Sequence, residues 1–449
     1  MWYILRIFFA LRALAEPNSW QEITPVGSVP TPKRINHMVM WSEVDDGFYV
    51  YGGRDENYAL KNDLHFYSRQ TNSWAEIVPN GSVPARQAPT AVWSNQADGF
   101  YVFGGCCWEN DLHFYSRESN SWEKLSPAGT LPLGREGGES VWGDAADGFY
   151  VCGGYQSNFG IIMDLAFYSR ASNAWQRLWP TGSPPDARYH HTLVWSEIDD
   201  GFYLFGGYAN VAEDDGYGGW GTFQRNDLYL YSRQANSWQK LEPSGMPYFN
   251  ALGWQTSFPP RIDGHAAVWS KQNDGFYVFG GHSGAWYMND VYLYSRQKNE
   301  WQAMWPTGPV VMARHEHAIV GNLEGFYVVG GRYSTLDPYD DLLLYIWQTT
   351  TTTTTYTSST QTTNTSTSST FTWTTMTSTT MTSSMTTLTS STSTVTTLTH
   401  TSSTTTWTTA TTTATSTWTL TSVQDEAASA SASGAGIKLV VILAWLGLV

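Results

Sequence analysis

The sequence predicts an all-β protein, a six-bladed β-propeller followed by a Thr/Ser-rich tail. Three observations carry that expectation. First, a phrase of the form Asp-Gly-Phe-Tyr-Val-Tyr-Gly-Gly recurs. Its copies end in Gly52-Gly53, Gly104-Gly105, Gly153-Gly154, Gly206-Gly207, Gly280-Gly281 and Gly330-Gly331. Second, subtracting those positions gives steps of 52, 49, 53, 74 and 50 residues, the period of units that stack to bury a shared core. Third, each unit holds four short runs of strand formers between Asp-Gly and Gly-Gly breakers, with no sustained helical periodicity. Four antiparallel strands in about 50 residues make one propeller blade.

The first complete unit sets the pattern. Residues 34–41 read as strand a, Gly47–Tyr51 as b, 63–67 as c and Ser73–Ile77 as d. The Gly pair lets strand b turn close to the crowded axis, where a Cβ would clash. The Trp of strand d offers a large apolar face for burial between blades.

These blocks resemble the kelch repeat. The Gly-Gly doublet is followed by Asn62-Asp63-Leu64 with Trp74, Asn110-Asp111-Leu112 with Trp122, and Asp164-Leu165 with Trp175. The series continues with Asn226-Asp227-Leu228 and Trp238, Asn289-Asp290-Val291 and Trp301, and Asp341-Leu342. The resemblance covers about residues 19–348 and implies a kelch-type propeller, not one activity. The last unit lacks strand d, whereas 18–23 reads as a strand d with no c before it. The N-terminal strand is therefore expected to close the ring and remove two exposed sheet edges.

The ends of the chain look like processing signals. Residues 1–15 read as a signal peptide ending in Ala13-Leu14-Ala15, with a transit peptide as competitor. Residues 16–348 are the propeller, and 349–426 a Thr/Ser-rich, mucin-like disordered stalk. Residues 427–449 form a small-residue spacer and an apolar anchor signal. Its apolar run is shorter than the ~20 residues that span a bilayer, which favours a GPI signal over a short membrane tail. Asn80 and Asn364 sit in N-glycosylation acceptors. The net charge of −15 argues against a nucleic-acid partner. Cys106, Cys107 and Cys152 are no disulfide framework: Cys152 reads as a buried filler, and the adjacent pair as thiols or a strained vicinal disulfide.

Strand a carries a recurring Arg at 34, 86, 135, 188, 261 and 314, with a His beside it at 37, 191, 265 and 317. A symmetric belt suits backbone support better than a metal, which needs a compact cluster. Enzyme signatures such as Gly-x-Ser-x-Gly or His-Glu-x-x-His are absent, and no cofactor is expected. The 74-residue step marks the binding candidate. There the b–c loop (208–225) and the following d–a loop (243–260) both swell, and both kinds of loop emerge on one face. Tyr217, Trp220, Phe223, Trp254 and Phe258 in these loops, with Trp108, Trp286 and Tyr287 in other b–c loops, suit a glycan or protein ligand. The expected whole is a monomeric, cell-surface binding protein, membrane-anchored at its C-terminus. A secreted oxidase- or hydrolase-like propeller enzyme, or an intracellular scaffold, is the alternative.

Overall fold

The computed structural model describes residues 17–27, 33–211, 221–245, 259–284, 286–334 and 338–347, with short strand segments beyond them. The chain divides into two units, Met1–Thr350 and Thr351–Val449. In the first, the Gly-Gly period is a ring of antiparallel sheets. Blade 1 runs a Met38–Ser42, b Gly47–Tyr51, c Leu64–Ser68 and d Ser73–Ile77. Blade 2 is Thr90–Ser94, Gly99–Phe103, Leu112–Ser116 and Ser121–Leu125. Blade 3 is Glu139–Gly143, Gly148–Cys152, Leu165–Ser169 and Ala174–Leu178. Blade 4 is Thr192–Ser196, Gly201–Phe205, Leu228–Ser232 and Ser237–Leu241, and blade 5 is Ala266–Ser270, Gly275–Phe279, Val291–Ser295 and Glu300–Met304. Blade 6 joins Ala318–Gly321, Gly325–Val329 and Leu342–Ile346 to Ser19–Ile23 from the other end of the chain.

The core lies between blades, because both faces of strand b are buried. Phe48 and Val50 of blade 1 pack on Tyr327, Val329 and Leu344 of blade 6, while Tyr49 and Tyr51 pack on Phe100 and Val102 of blade 2. Strand d turns only its Trp inward: Trp74 is buried and Ala75 and Glu76 are exposed. At each junction a strand-b Tyr stacks on a Trp of the next blade, as Tyr49 does on Trp93 at 5.7 Å and 13°. Such a pair contributes roughly 0.5–1.5 kcal/mol beyond the area it buries. Blade 6 has Gly321 where the other strands a carry this Trp. Trp347, just past strand c, fills the space and stacks on Tyr277 at 5.3 Å.

The N-terminal strand completes blade 6, as expected. Ser19–Ile23 pairs antiparallel with Leu342–Ile346, from Ser19 opposite Ile346 to Ile23 opposite Leu342. In blades 1 to 5 the strand-c Tyr donates to a left-handed Asn in the c–d turn, as Tyr67 does to Asn72 at 3.0 Å. Tyr345 makes the same bond to Asn18 at 2.7 Å, across the two ends of the domain.

Two details differ from the sequence reading. Strand a begins at Met38, not Arg34: Asn36 has φ 53°, which ends the extended run, and Arg34–Ile35 pairs instead with Arg54–Asp55. The blades are also tied at their outer edge. After strand d, a Pro-x-Gly segment crosses to pair in parallel with the outer strand of the next blade, as Val26–Gly27 does with Ser73 and Trp74. The repeat of that segment at Pro25, Pro79, Pro127, Pro180, Pro243 and Pro306 was the available signal. Its Gly is required: at Gly129, φ 85°, a Cβ would stand 2.1 Å from the Trp175 carbonyl oxygen.

Cys106, Cys107 and Cys152 are free thiols; Cys152 is fully buried, and burial pushes its pKa up. In the second unit Thr365–Thr367, Thr370–Met376, Val395–Thr401 and Thr404–Thr406 form an antiparallel sheet, and Ser383–Ser384 pairs with Thr387–Leu388. β-branched Thr pairs readily as strand. The terminal segments expected as signal and anchor, 1–15 and 427–449, lie outside the described residues. Among the described residues no helix is long and apolar enough to cross a membrane.

Candidate binding face

The b–c and d–a loops meet on one face, around the mouth of the central channel. That mouth is built from two closed circuits of backbone hydrogen bonds. In one, Asn36 N donates to Glu316, Ala88 to Asn36, Gly137 to Ala88, His190 to Gly137, Gly264 to His190 and Glu316 to Gly264, at 2.9–3.2 Å. All six residues have positive φ, between 44° and 62°. In the other, the second Gly of each doublet donates to the next blade, from Gly53 N to Arg86 O at 2.9 Å round to Gly331 N to Arg34 O at 3.3 Å.

In five blades the recurring Arg holds the doublet in place. Arg86, 2% exposed, donates to the Gly104 carbonyl at 2.7 Å and bidentately to Asp111 at 2.9 and 3.2 Å. Arg34 with Asp63, Arg135 with Asp164, Arg188 with Asp227 and Arg314 with Asp341 repeat the arrangement. The Asp of the Asn-Asp-Leu block is thus an internal counter-ion. Though burial acts against ionisation, the guanidinium and His113 hold the Asp111 carboxyl well below the usual carboxylate range. Blade 5 breaks the series, because Ile262 and not Arg261 occupies the equivalent position. The backbone pairing shows it: Gly207 N donates to Ile262 O.

The four His of the belt line the channel. His37, His191, His265 and His317 are buried between blades, and desolvation lowers each pKa, to about 3 for His37 and about 4 for His265. His265 shares a 3.1 Å hydrogen bond with the Thr192 hydroxyl, one blade earlier.

His190 behaves differently from its neighbour. Strand alternation would send it away from the site, but with φ 53° it lies outside strand a and faces the mouth. There, with Asn36, Glu136, Tyr155, Tyr189 and Glu316, it lines a cavity of about 240 Å³. Beside it Asp263 takes Nε2 of Gln224 at 3.0 Å, with Nδ1 of His282 at 3.4 Å and Nδ1 of His190 at 3.9 Å. Burial lowers the His190 pKa, yet Asp263 and Glu316 outweigh it and the net direction is upward. Asp263 raises the His282 pKa against a smaller desolvation cost. Glu316 is held below its ordinary value by His315 and Arg332, with Arg332 at 2.8 Å, against its own burial. Deeper in the channel Glu139 takes the position of Met38 and Ala266, and desolvation raises its pKa to about 8.

The residues expected to bind ligand divide into three groups. Tyr287 joins the site: its ring lies 4.8 Å from His282 and from His315 and 5.0 Å from Tyr333. Trp286, 72% exposed, pairs in the same hairpin, and Phe223 flanks Gln224 in Gly221–Gln224. Trp108, 39% exposed, stands on the blade 2 loop with no ring contact among the described residues. Tyr217, Trp220, Trp254 and Phe258 lie outside the described residues. Sequence reading missed Tyr189, His190, Asp263 and Glu316. The signal for the mouth was the second residue after each Arg, which is Asn or Gly at 36 and 137 because the backbone turns left-handed there.

The comparisons agree with this architecture. A family model described as the KLHDC2/KLHL20/DRC7 Kelch-repeats domain matches residues 9–207, 97–256 and 198–435. The chain is similar to a leucine-zipper-like transcriptional regulator 1 homolog of Drosophila melanogaster, 24% identical over 38% of this chain and 17% of the relative. It is 28% identical to human host cell factor 2 over 34% of this chain and 18% of that protein. It is also 28% identical to kelch domain-containing protein 2 of Bos taurus, over 19% of this chain and 20% of that protein. The matched segments thus span a fifth or less of these relatives.

Proposed function

The chain belongs to the kelch-repeat family, and on that premise we propose that it is a binding protein that seats a segment of a partner protein at the channel mouth on the loop face. The cavity of about 240 Å³ carries this reading. It is smaller than the roughly 300–1,000 Å³ of a typical small-molecule site, so it suits one or two side chains of a larger partner. Around it stand the features of an interaction centre: aromatic rings at Tyr155, Tyr189 and Tyr287, and ionised groups fixed by buried partners. The exposed Trp286 and Tyr333 extend the apolar surface outward. A glycan is the second reading, since exposed aromatic rings stack on sugar faces as well as on side chains. An oxidase- or hydrolase-like enzyme remains the alternative in another class.

Composition alone supports display at a cell surface, with the Thr/Ser-rich segment as an O-glycosylated stalk and the apolar terminus as an anchor. Asn80, whose side chain is exposed, is then open to glycosylation. Asn364 lies outside the described residues. O-glycans on the segment after residue 349 would support display, and an unmodified segment in the native host would exclude it.

The binding test uses Tyr189→Ala and Tyr287→Ala in the full chain, each checked for an unchanged melting temperature. Capture of the native partner, or of a glycan on an array, should fall by at least tenfold in both. Retained capture in both moves the site off the channel mouth. The matching substitutions of Trp220 and Trp254 then tell whether the two enlarged loops carry it instead.

A further inference from the structure

Blade 5 keeps the acceptors of the guanidinium site and lacks the guanidinium. In the other five blades one Arg donates to the first Gly carbonyl of the doublet and to the Asp of the Asn-Asp-Leu block, as Arg188 does to Gly206 and Asp227. In blade 5 the doublet begins at Gly280 and the carboxylate is Asp290, but the position of the Arg is held by Ile262, which is fully buried. An Ile side chain is much shorter than an Arg and carries no donor, so it cannot reach across to the carboxylate. Among the described residues no side chain donates to Asp290, and burial pushes its pKa up with no charged partner to offset it. The three carboxyls with a resolved shift in the equivalent sites show what a paired one looks like: Asp63, Asp111 and Asp227 are all pulled down.

Three further observations say where such a carboxylate is useful. Asp290 is only part-buried, so a ligand can reach it. It lies three residues beyond Tyr287, at the base of the hairpin that carries Trp286 and Tyr287 on the loop face. It also belongs to the blade entered by the long 243–260 connection, where the repeat is least regular. The chain as a whole is acidic, at −15, which draws cationic partners.

We propose that Asp290, with the Gly280 carbonyl, receives an arginine side chain of the bound partner, so that the partner completes in trans the guanidinium site that the other blades complete in cis. This rests on the protein-binding reading above and names the chemistry of the segment it takes. A guanidinium matches this pair of acceptors better than an ammonium, because its planar fork donates to a carboxylate bidentately while a further N–H reaches the carbonyl.

The test is a titration of the ¹⁵N-labelled full chain with N-acetyl-arginine amide, following the Gly280 and Asp290 amide signals, with N-acetyl-citrulline amide as the neutral isostere. The arginine probe should give saturable shifts and citrulline none. Asp290→Asn, close to isosteric, should weaken the arginine probe at least tenfold. Ile262→Arg, which reinstates the internal donor, should do the same while holding or raising the melting temperature; if that variant does not fold, Asp290→Asn decides alone. Equal binding of the arginine probe to Asp290→Asn, equal shifts with citrulline, or the same shifts from sodium chloride alone would overturn the proposal. Such a result, with partner capture still dependent on Tyr189 and Tyr287, refutes the role of Asp290 and leaves the binding face standing.

Discussion

At the residue scale, the molecule is governed by which buried charges have partners. The Arg of each regular blade is nearly inaccessible to solvent, as Arg86 is at 2% exposure, and its charge is tolerated because Asp111 and the Gly104 carbonyl neutralise it. Removing one member of such a pair leaves the other buried and unpaired, at a cost of about 3–5 kcal/mol. Asp111→Ala should therefore lower stability by that order in a denaturation curve, whereas Glu123→Ala, at an exposed strand-d position, should change it by less than about 0.5 kcal/mol. The channel carries a pH signature as well. His37 and His265 titrate lower in the fold than in the unfolded chain, so their contribution is present above about pH 6.5 and is lost as the pH falls toward about 4 and 3. Glu139 titrates higher in the fold, from 4.5 to about 8, so its contribution is present below about pH 4.5 and is lost as the pH rises through 8. Glu139→Gln should flatten the loss of stability between about pH 5 and 8 and leave the acid limb unchanged, as read by melting temperature against pH.

At the element scale, the four strands of each blade were legible because Phe, Tyr, Val and Trp recur in register and Asp-Gly and Gly-Gly punctuate them. Strand b matched to the residue; strand a did not. A left-handed Asn36 or Ala88 leaves no mark in hydrophobic pattern, so 34–41 looked like one strand. The same blindness hid the site: only the turn at φ 53° takes His190 out of strand a and brings it to Asp263. Tyr287 sits in a b–c loop by simple counting, and its ring reaches His282 and His315. The displaced Arg of blade 5 was missed because Arg261 and Ile262 are adjacent and the Gly207 bond alone tells them apart. The Pro-x-Gly crossings are a further element whose role can be measured. Gly129→Ala sets a Cβ against the Trp175 carbonyl oxygen at positive φ, and should cost about 1–3 kcal/mol in thermal or denaturant unfolding. An unchanged melting temperature would show that the crossing is not needed to hold blades 2 and 3 together.

At the scale of the whole molecule, the propeller is a closed set of like interfaces with one asymmetric stretch. Closure depends on Ser19–Ile23, Asn18 and the hydrogen bond from Tyr345. Deleting 18–23 exposes the edge of strand c in blade 6 and the Trp20 pocket against Phe279, Phe326 and Tyr345. The whole domain should then melt at a lower temperature, as read by thermal denaturation. The symmetry has one break in its Arg–Asp series. In five blades the Asp of the Asn-Asp-Leu block is paired with an Arg, while blade 5 holds Asp290, to which no side chain donates among the described residues. The most direct test is hydrogen exchange of the full chain with and without its captured native partner. Slowed exchange should concentrate at 188–190, 263–264, 282–290 and 315–316 on the loop face. Slowed exchange centred instead on the opposite turns at 43–46, 197–200 and 322–324, with the loop face unchanged, would contradict it.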